Sequence, residues 1–280
     1  MKSIYTIIPI RNFKDQTLDC LKDLKKVKVG NFVNKIIVVD NASSDGSTKE
    51  ILKIFPDVKV IRNKDNKGFA AAINQGIKVA LRDDNCSFIL LLNNDTRLPE
   101  NFLQKLVNTA LADKKIGLVA PALRHFQKET LFYGMEGKIN IRTGIAKHRN
   151  IKAIKSKKII NAQFVSGCCM LIKKEVLNKV GFMDERFFLY LDDVDYCLSV
   201  QKAGYKTVLD PGTVISHKVS ASFGHNPLLK LPYSLKSNLL FILKWTPLKH
   251  KPFALAWCIW FYSSLGIIWS LPVIKKKIFG

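Results

Sequence analysis

The chain has 280 residues, of which 48% are hydrophobic and 24% are charged. This composition excludes an intrinsically disordered chain and a small disulfide-held scaffold, because there are enough apolar residues to fill a sizeable core. Lys and Arg number 45 and Asp and Glu 22, which gives a net charge of +23 and favours a polyanionic partner, either nucleic acid or an anionic membrane surface.

The first part of the chain alternates short β-branched runs with helical periodicity, the pattern of a mostly parallel sheet flanked by helices. Apolar stripes predict helices at 69–81 and 103–111. Ser47 with Glu50 has the pattern of a capping box, and Pro99 has the position of a first helical residue. Strands are predicted at 3–9, 35–39, 58–62, 88–92, 117–120 and 164–172.

The second part is more basic and ends in an apolar stretch. Residues 138–158 contain eight Lys or Arg and no acid, and we expect an exposed insertion there. Residues 227–245 suit a helix lying in a membrane interface. Residues 253–271 carry no charge and as a helix would be roughly 28 Å long, close to the thickness of a hydrocarbon core. This stretch predicts a lipid-embedded or interfacial anchor, a true span, or a core or dimer helix, and the three alternatives stay open.

The six cysteines include no Cys-x-x-Cys pair, so the sequence indicates neither a zinc site nor a disulfide framework. We expect reduced, mostly buried thiols, as in a cytoplasmic protein. The N-terminus turns polar after a short apolar run, which predicts a first strand and not a signal peptide.

Acids that follow strands are the first candidates for chemistry, because ligands of open α/β sheets bind beyond the carboxyl ends of the strands. Asp40 and Asp95 have this position, and an Asx turn or a helix cap is the structural alternative for each. Asp192, Asp193 and Asp195 lie at a predicted helix start, where complementing the helix dipole needs one acid and not three. Carboxylates this close raise at least one pKa, which is the tuning that a general base needs.

Four sequence blocks occur in the order found in the family 2 glycosyltransferases, which the chain resembles over about residues 1–225. The resemblance implies the α/β GT-A fold, with a nucleotide-sugar half at 1–97 and an acceptor half at 98–225. The composition of 226–280 predicts a basic, hydrophobic, membrane-associating tail. The blocks are IVVDNASSDGS at 37–47, NKGFAAAINQG at 66–76, LLNNDT at 91–96, and GFMDERFF at 181–188 continued by DDVDYC at 192–197 up to His217.

The resemblance also implies roles for single residues. Asp193 is the expected catalytic base, which takes the proton of the acceptor hydroxyl while one displacement inverts the anomeric carbon. Asp95 and His217 are the expected ligands of a divalent cation, Mg²⁺ or Mn²⁺, that bridges the diphosphate. Asp40 is expected to bind the ring N3 of uracil or thymine. The other residues expected along the nucleotide sugar are Pro9, Arg11, Asn12, Asn41, Asn66, Gly68, Asn74 and Asn94.

The chain departs from the family pattern at two motifs. The usual Asp-x-Asp metal motif is NND at 93–95, with one carboxylate, and the usual Glu-Asp pair is Asp192-Asp193. No arginine follows Arg186, so the Q-x-x-R-W motif of processive synthases is missing and transfer of single sugars is expected. The block at 181–188 resembles rhamnosyltransferases that build cell-envelope glycans.

The expected partners are a UDP- or dTDP-sugar donor, a lipid-linked or glycan acceptor, and an anionic membrane surface that the tail binds on the cytoplasmic face of the cell membrane. Nucleic acid is not expected, since 138–158 contains no Phe, Tyr or Trp to stack on bases. The alternatives are a catalytically impaired protein of this fold that binds anionic membranes or nucleic acid, and a nucleotidyltransferase. The latter would normally have glycine in the loop after the first strand, and 10–15 has none.

Overall fold

The computed structural model describes residues 1–127, 130–140, 142–218 and 227–279. Within this part of the chain eleven strands form one sheet. Side chains are not described at 126, 127, 227 and 267–279. The strands are β1 (Lys2–Ile10), β2 (Phe32–Asp40), β3 (Lys59–Arg62), β4 (Cys86–Leu92), β5 (Thr96–Arg97), β6 (Ile116–Gln127), β7 (Thr130–Asn140), β8 (Ile145–Ile151), β9 (Ile160–Asn161), β10 (Cys169–Lys173) and β11 (Lys206–His217).

The sheet is parallel in its first half and mixed in its second. The strand order is β3-β2-β1-β4-β10-β6-β11-β5. β1 pairs in parallel with β2 and β4, β2 pairs in parallel with β3, and β11 pairs in parallel with β6. β10 runs antiparallel between β4 and β6, so the sheet is less parallel than the sequence pattern predicts.

Helices cover both faces of this sheet. Ile7 and Ile8 of β1 belong to different cores, since successive side chains of a strand point to opposite faces. Leu21 and Leu103 lie in the core of one face and Ile73 in that of the other, which explains the continuous apolar runs of the central strands. The helices are α1 (Lys14–Leu24), α2 (Ser47–Ile54), α3 (Phe69–Ala80), α4 (Phe102–Ala112), α5 (Lys174–Val180), α6 (Asp192–Lys202), α7 (Leu231–Trp245) and α8 (Lys251–Phe279).

The basic segment 138–158 forms part of a β-hairpin. β7 and β8 pair antiparallel, and β7 also pairs with β6, so the hairpin extends the sheet. The basic residues of β8 are exposed, as expected, and Arg149 donates two hydrogen bonds of 2.8 and 2.9 Å to the carboxylate of Glu136. β7 supplies the apolar side of the hairpin, where Met135 is buried.

Two predicted boundaries are wrong. The strand expected at 164–172 begins only at Cys169, because the preceding residues make a turn in which the Gly167 N–H donates to Asp193. α4 begins at Phe102 and not at Pro99, whose carbonyl instead accepts a hydrogen bond from the Phe102 N–H. In both cases the loop residues have side chains of the types found in the adjoining strand or helix, so the sequence pattern does not show where the element begins.

The C-terminal helices pack on the rest of the chain. Phe241 of α7 belongs to the core of one sheet face, and Ile242 is buried together with Cys258 of α8. The Ser237 hydroxyl donates a 2.7 Å hydrogen bond to the Leu189 carbonyl. The segment expected to lie in a membrane interface therefore forms a helix with one side buried against the domain.

Among the side chains that the structure describes, no helix is long and apolar enough to cross a membrane. From residue 267 onward the predicted apolar stretch lies outside the described side chains. The predicted domain boundary at 225 also lies outside the described residues.

Candidate active site

The candidate site lies at the carboxyl edge of the parallel strands. β1, β2 and β4 all end there, and the loops that follow them carry most of the predicted site residues. β11 brings His217 to the same edge, because His217 pairs with Thr96, the residue after Asp95. Ligands of open α/β sheets bind at such an edge.

A cavity of about 230 Å³, which we call the edge pocket, opens at this place. Arg11 is exposed and brings positive charge to it, which suits an anionic ligand. The predicted site residues that line the edge pocket are Pro9, Arg11, Asn41, Asn66, Gly68, Asn94, Asp95 and His217. Its other lining residues, which the sequence did not single out, are Ile10, Phe13, Phe69, Asn93, Phe188 and Leu189.

Gly68 is required at the wall of the edge pocket. Its φ is 85°, and an added Cβ would lie 2.8 Å from the Phe188 side chain and carbonyl oxygen. The Asn66 Oδ1 accepts a hydrogen bond from the Gly68 N–H at 3.1 Å, and the Asn41 Nδ2 donates to the Gly68 carbonyl at 3.0 Å. Asn41 and Asn66 thus shape the loop before α3 and also line the pocket.

Asp40 and Asn12 hold loops and do not line the edge pocket. Asp40 is fully buried, and its two carboxylate oxygens accept hydrogen bonds from the Ser43 N–H, at 2.8 Å, and from the Thr48 hydroxyl. Asn12 donates its N–H to the Ser43 hydroxyl and accepts from the Ser44 N–H. Asp40 therefore has the contacts of the structural alternative, a turn-holding residue, while its recognition of a base stays a prediction.

Asn74 was expected along the nucleotide sugar but lies beneath the loop that precedes α6. It is 1% exposed. Its side-chain oxygen accepts from the Met183 N–H at 3.0 Å, and its amide donates to the Met183 carbonyl at 2.8 Å and to Glu185 at 2.9 Å. Asn74 thus anchors the loop 181–191, which carries Phe188 into the edge pocket.

Asp95 and His217 form an ion pair in the wall of the edge pocket. The Asp95 Oδ1 lies 3.2 Å from the His217 Nε2, and both side chains are largely buried. Burial alone would lower the pKa of His217, but the neighbouring Cys168 and Asp95 outweigh it and raise this pKa. The predicted pair of metal ligands is therefore brought together by β11 and the loop after β4.

Asp95 and His217 together fit a divalent cation whose other coordination positions are filled mainly by the bound phosphate compound. One carboxylate and one imidazole suit Mn²⁺ or Mg²⁺ when phosphate oxygens and waters complete the shell. Asn94 also lines the pocket, although its side-chain amide donates to the Thr17 hydroxyl at 2.8 Å. Within the described residues no group of three or more His, Cys, Asp or Glu could hold a metal ion.

Asp193 lies in the first turn of α6 and is partly exposed. Its Oδ2 accepts a 2.8 Å hydrogen bond from the Gly167 N–H, and its Oδ1 accepts one of 2.8 Å from the Val194 N–H. A Cβ added at Gly167 would lie 3.1 Å from the Asp193 Cβ, so this close approach favours glycine. Two backbone donors fix the carboxylate, and both oxygens keep lone pairs for a further proton donor.

The other two acids of the cluster are buried. Burial, and secondarily the charge of Asp193, raise the pKa of Asp192 well above its ordinary value. Burial also raises the pKa of Asp195, although Lys244 and Trp245 donate hydrogen bonds of 2.9 and 2.7 Å to its two oxygens. The clustering of the carboxylates thus raises a pKa as expected, although burial raises the pKa values more.

A second cavity, of about 780 Å³, adjoins the edge pocket, and Phe69, Asn93, Leu189 and His217 line both. Asp193 lies in its wall. Its walls also include residues of β8, α7 and α8. The predicted base therefore lies between a small polar pocket and a larger cavity.

The sequence singled out no individual residue of the C-terminal helices for this site. Lys244 and Trp245 contact Asp195 across about fifty residues of sequence, and Trp257 and Phe261 line the second cavity. Their only sequence signal is the helical spacing of the aromatic residues, which equally describes an anchor helix.

Comparison with known proteins decides the family. Residues 5–181 match the family described as Glycosyl transferase family 2, which is more than half of the chain. The chain is a family 2 glycosyltransferase. This confirms the resemblance found in the sequence blocks.

Curated relatives of this glycosyltransferase include rhamnosyltransferases. It is 23% identical over 231 residues to the N-acetylglucosaminyl-diphospho-decaprenol L-rhamnosyltransferase of Mycobacterium tuberculosis, covering 74% of each chain. It is 24% identical to the dTDP-rhamnosyl transferase RfbF of Shigella flexneri over 78% of this chain and 69% of that protein. It is also 25% identical to the poly-beta-1,6-N-acetyl-D-glucosamine synthase of Staphylococcus aureus, over 75% of this chain and 48% of the synthase.

Solved structures confirm the predicted GT-A fold. GalNAc-T7, solved with UDP, GalNAc and Mn²⁺, superposes with a TM-score of 0.66 at 14% identity, over 85% of this glycosyltransferase and about half, 48%, of that chain. The mannosyltransferase PcManGT of Pyrobaculum calidifontis, in complex with GDP-Man and Mn²⁺, gives a TM-score of 0.58 at 14% identity, over 91% of this chain and 72% of that chain.

Proposed function

We propose that this glycosyltransferase moves one sugar, with rhamnose as the first candidate, from a UDP- or dTDP-sugar to a hydroxyl of a lipid-linked or glycan acceptor, with inversion of the anomeric carbon. The likeness to two rhamnosyltransferases supports the sugar. The proposed setting is the synthesis of cell-envelope glycans, which the polysaccharide synthase among the relatives also supports.

One observation carries the proposal. Asp193 lies in the wall of a cavity that adjoins the edge pocket, and His217 lines both spaces. A donor in the edge pocket and an acceptor in the second cavity would meet beside Asp193. Such an arrangement holds two reactants together, which converts a bimolecular step into an effectively unimolecular one.

Asp193 acts as the general base in this proposal. Its carboxylate takes the proton of the acceptor hydroxyl as that oxygen bonds to the anomeric carbon and the bond from this carbon to the diphosphate oxygen breaks. The Gly167 and Val194 N–H groups hold the carboxylate in one orientation. Attack from the face opposite the leaving group gives inversion.

Asp95 and His217 would hold a divalent cation at the diphosphate. When bound, Mg²⁺ or Mn²⁺ neutralises negative charge on the departing nucleoside diphosphate. Arg11, at the rim of the edge pocket, adds positive charge to the same ligand. One protein carboxylate and one imidazole fit a cation that arrives with its nucleotide.

We further propose that α7 and α8 bring this protein to the cytoplasmic face of an anionic membrane. These helices expose Leu243, Phe253 and Trp260, and Leu248 and Lys249, in the segment between the two helices, are exposed as well. Apolar side chains together with lysine suit an interface with anionic lipids. Nucleic acid is the weaker alternative, because the exposed basic strand β8 has no Phe, Tyr or Trp to stack on bases.

The decisive experiment measures nucleoside diphosphate release from a panel of UDP-, dTDP- and GDP-sugars, with Mn²⁺ or with chelator, for the wild type and Asp193→Asn. Release from one donor that depends on metal and on Asp193 is expected, and it would identify the sugar. Release that persists in chelator would contradict the metal role. No release and no nucleotide binding would favour the alternative, a protein of this fold that only binds membranes or nucleic acid.

A further inference from the structure

One stripe of α8 faces the second cavity and is entirely uncharged. Trp257, Cys258, Phe261 and Tyr262 line the cavity, and their spacing of one and four residues places them on a single helix face. Asn238 of α7 donates a 2.6 Å hydrogen bond to the Tyr262 hydroxyl, which ties the two helices together at this wall. The wall thus offers aromatic surface and few hydrogen-bonding groups.

Another wall of the cavity comes from the hairpin and carries positive charge. Ile145, Ala146, Lys147 and His148 of β8 line the same cavity. The hairpin is fitted closely to α7, since a Cβ at Gly144 would lie 2.5 Å from the Ile242 side chain. The cavity therefore brings together a base, a lysine and an aromatic wall.

An aromatic pair connects this cavity with the exposed side of α8. The rings of Trp257, in the cavity wall, and Trp260, which is 59% exposed, have centroids 5.0 Å apart. Phe253 and Ile259 also lie exposed on α8, at 59% and 54%. Exposed apolar groups of this density mark an interaction surface, and here that surface is continuous with the cavity.

We propose that the second cavity binds a lipid-linked acceptor and that Trp257 and Phe261 form a subsite for the prenyl chain next to its phosphate groups. This inference rests on the proposed transferase function and chooses between its two acceptor classes. An amphiphile with a sugar, a diphosphate and an apolar chain matches the three chemistries of the cavity, which are the Asp193 carboxylate, the Lys147 ammonium and the α8 aromatic wall. The chain passes from the membrane along α8 into the site.

A soluble glycan fits these walls less well. Sugars are bound through many hydrogen bonds from precisely placed polar groups, whereas buried apolar surface is what attracts a hydrocarbon chain. Besides Asp192, Asp193 and His217, the charged or basic side chains in the described cavity wall are those of Lys147 and His148, and both belong to β8. C-terminal helices that serve only as an anchor would not need to line a cavity beside the base.

The test measures binding of farnesyl diphosphate to the full-length protein in detergent by calorimetry. Saturable binding by the wild type is expected, with at least a tenfold loss of affinity in Trp257→Ala and in Phe261→Ala. Ile259→Ala is the matched control, since it shortens an apolar residue on an exposed part of α8, and it should keep wild-type affinity. Ala146→Phe fills the cavity from the hairpin side without altering α8 and should also abolish binding.

Three results would overturn the proposal, namely no saturable binding by the wild type, equal losses in Ile259→Ala and the α8 cavity variants, or tight binding retained by the folded Ala146→Phe protein. Competition with a lipid-free oligosaccharide separates the acceptor classes, because effective displacement would assign the cavity to glycan. Donor hydrolysis by the same variants keeps this inference distinct from the proposed function. In the wild type, donor hydrolysis without prenyl binding would refute the subsite alone, whereas no hydrolysis would refute the transferase.

Discussion

Two adjacent carboxylates at the start of α6 have different environments. Asp193 is partly exposed in the cavity wall and is oriented by the Gly167 and Val194 N–H groups, whereas Asp192 is 7% exposed. Only the accessible one can touch a substrate hydroxyl. The neighbours should therefore respond differently to the same substitution.

Asp193→Asn should abolish transfer and leave nucleotide binding nearly unchanged. Asparagine preserves the size of the side chain but cannot accept the proton, and loss of a general base lowers kcat by about 10²- to 10⁴-fold. Single-turnover kinetics and nucleotide calorimetry on the same preparation check this. A loss of nucleotide binding equal to the loss of rate would assign Asp193 a structural role.

Asp192→Asn should instead change stability in a pH-dependent way. Burial and the Asp193 charge raise the pKa of Asp192, so the folded chain retains a proton that the unfolded chain releases above its own pKa of about 3.9. Unfolding then releases a proton, and wild-type stability falls as pH rises from that unfolded value to the raised folded value.

The variant lacks this titration. Its advantage in free energy of unfolding should be small near about pH 4 and should grow by about 1.4 kcal/mol for each unit of pKa difference, levelling off above the folded pKa. Urea unfolding of both proteins at several pH values measures it. An advantage that is constant with pH would mean that Asp192 does not titrate in this way.

Residue types and order were predictable from the sequence, but side-chain contacts were not. Asp95 and His217 were expected together and lie 3.2 Å apart. Ser47 was expected to cap α2, yet it is the first helical residue and Gly46, with φ of 79°, holds the cap position. Asp45 takes the polar role by accepting a hydrogen bond from the Ser47 N–H. Several polar residues in one turn can each satisfy the same donors, and packing decides among them.

At the scale of elements, the end of α7 clamps α6 and the loop before it. The Lys244 Nζ lies 3.0 Å from the Asp184 carboxylate and 2.8 Å from that of Asp195. The Trp245 indole N–H donates to Asp195 at 2.7 Å. Asp195 lies on the same first turn of α6 as Asp193, so the clamp sets the position of the base without touching substrate.

Lys244→Met should therefore lower both stability and kcat. Removal of one partner of a buried ion pair costs about 3 kcal/mol, and about 2 kcal/mol is expected here because the Lys244 side chain is 30% exposed. The loss of folding stability should be larger near about pH 8 than near about pH 5, since Asp195 without its lysine partner can take up a proton at lower pH.

Urea unfolding and single-turnover transfer measure the two effects. Lys236→Met is the matched control, because Lys236 lies exposed on the same helix. kcat should fall about tenfold, a change of about 1.4 kcal/mol in barrier, while the donor KM changes little. Equal behaviour of the two variants would mean that the clamp is dispensable.

Elements were predictable where one physical cause governs the sequence pattern. The central strands are buried on both faces, so 35–39 and 88–92 are continuous apolar runs that fall within β2 and β4. The hairpin of β7 and β8 was not predicted as strands, because its outer positions are basic and only one side is covered. α7 has the composition of an interfacial helix and also a buried side, and composition does not distinguish the two.

At the scale of the whole molecule, the charge of +23 acts together with exposed apolar side chains. Neither alone selects a membrane, since basic charge also attracts nucleic acid and apolar patches also bind proteins. The C-terminal helices combine lysine with exposed Phe253 and Trp260 at one end of the chain. The second cavity is lined by these helices and by the sheet domain, so the proposed membrane contact and the proposed acceptor entry would use the same elements.

Phe253→Asp combined with Trp260→Asp should weaken binding to anionic vesicles while donor hydrolysis stays at the wild-type rate. Each large apolar side chain that inserts contributes about 1.5–3 kcal/mol, so the pair should reduce partitioning by at least a hundredfold. Both side chains are 59% exposed, and a charge there need not disturb the core.

Leu52→Asp, which changes an exposed leucine on α2, is the control and should bind as the wild type does. Vesicle flotation at low and high salt separates the apolar contribution from the screened electrostatic one. Unchanged binding of the double variant, lost on raising salt, would place the membrane contact on the lysines and not on the apolar face of α8.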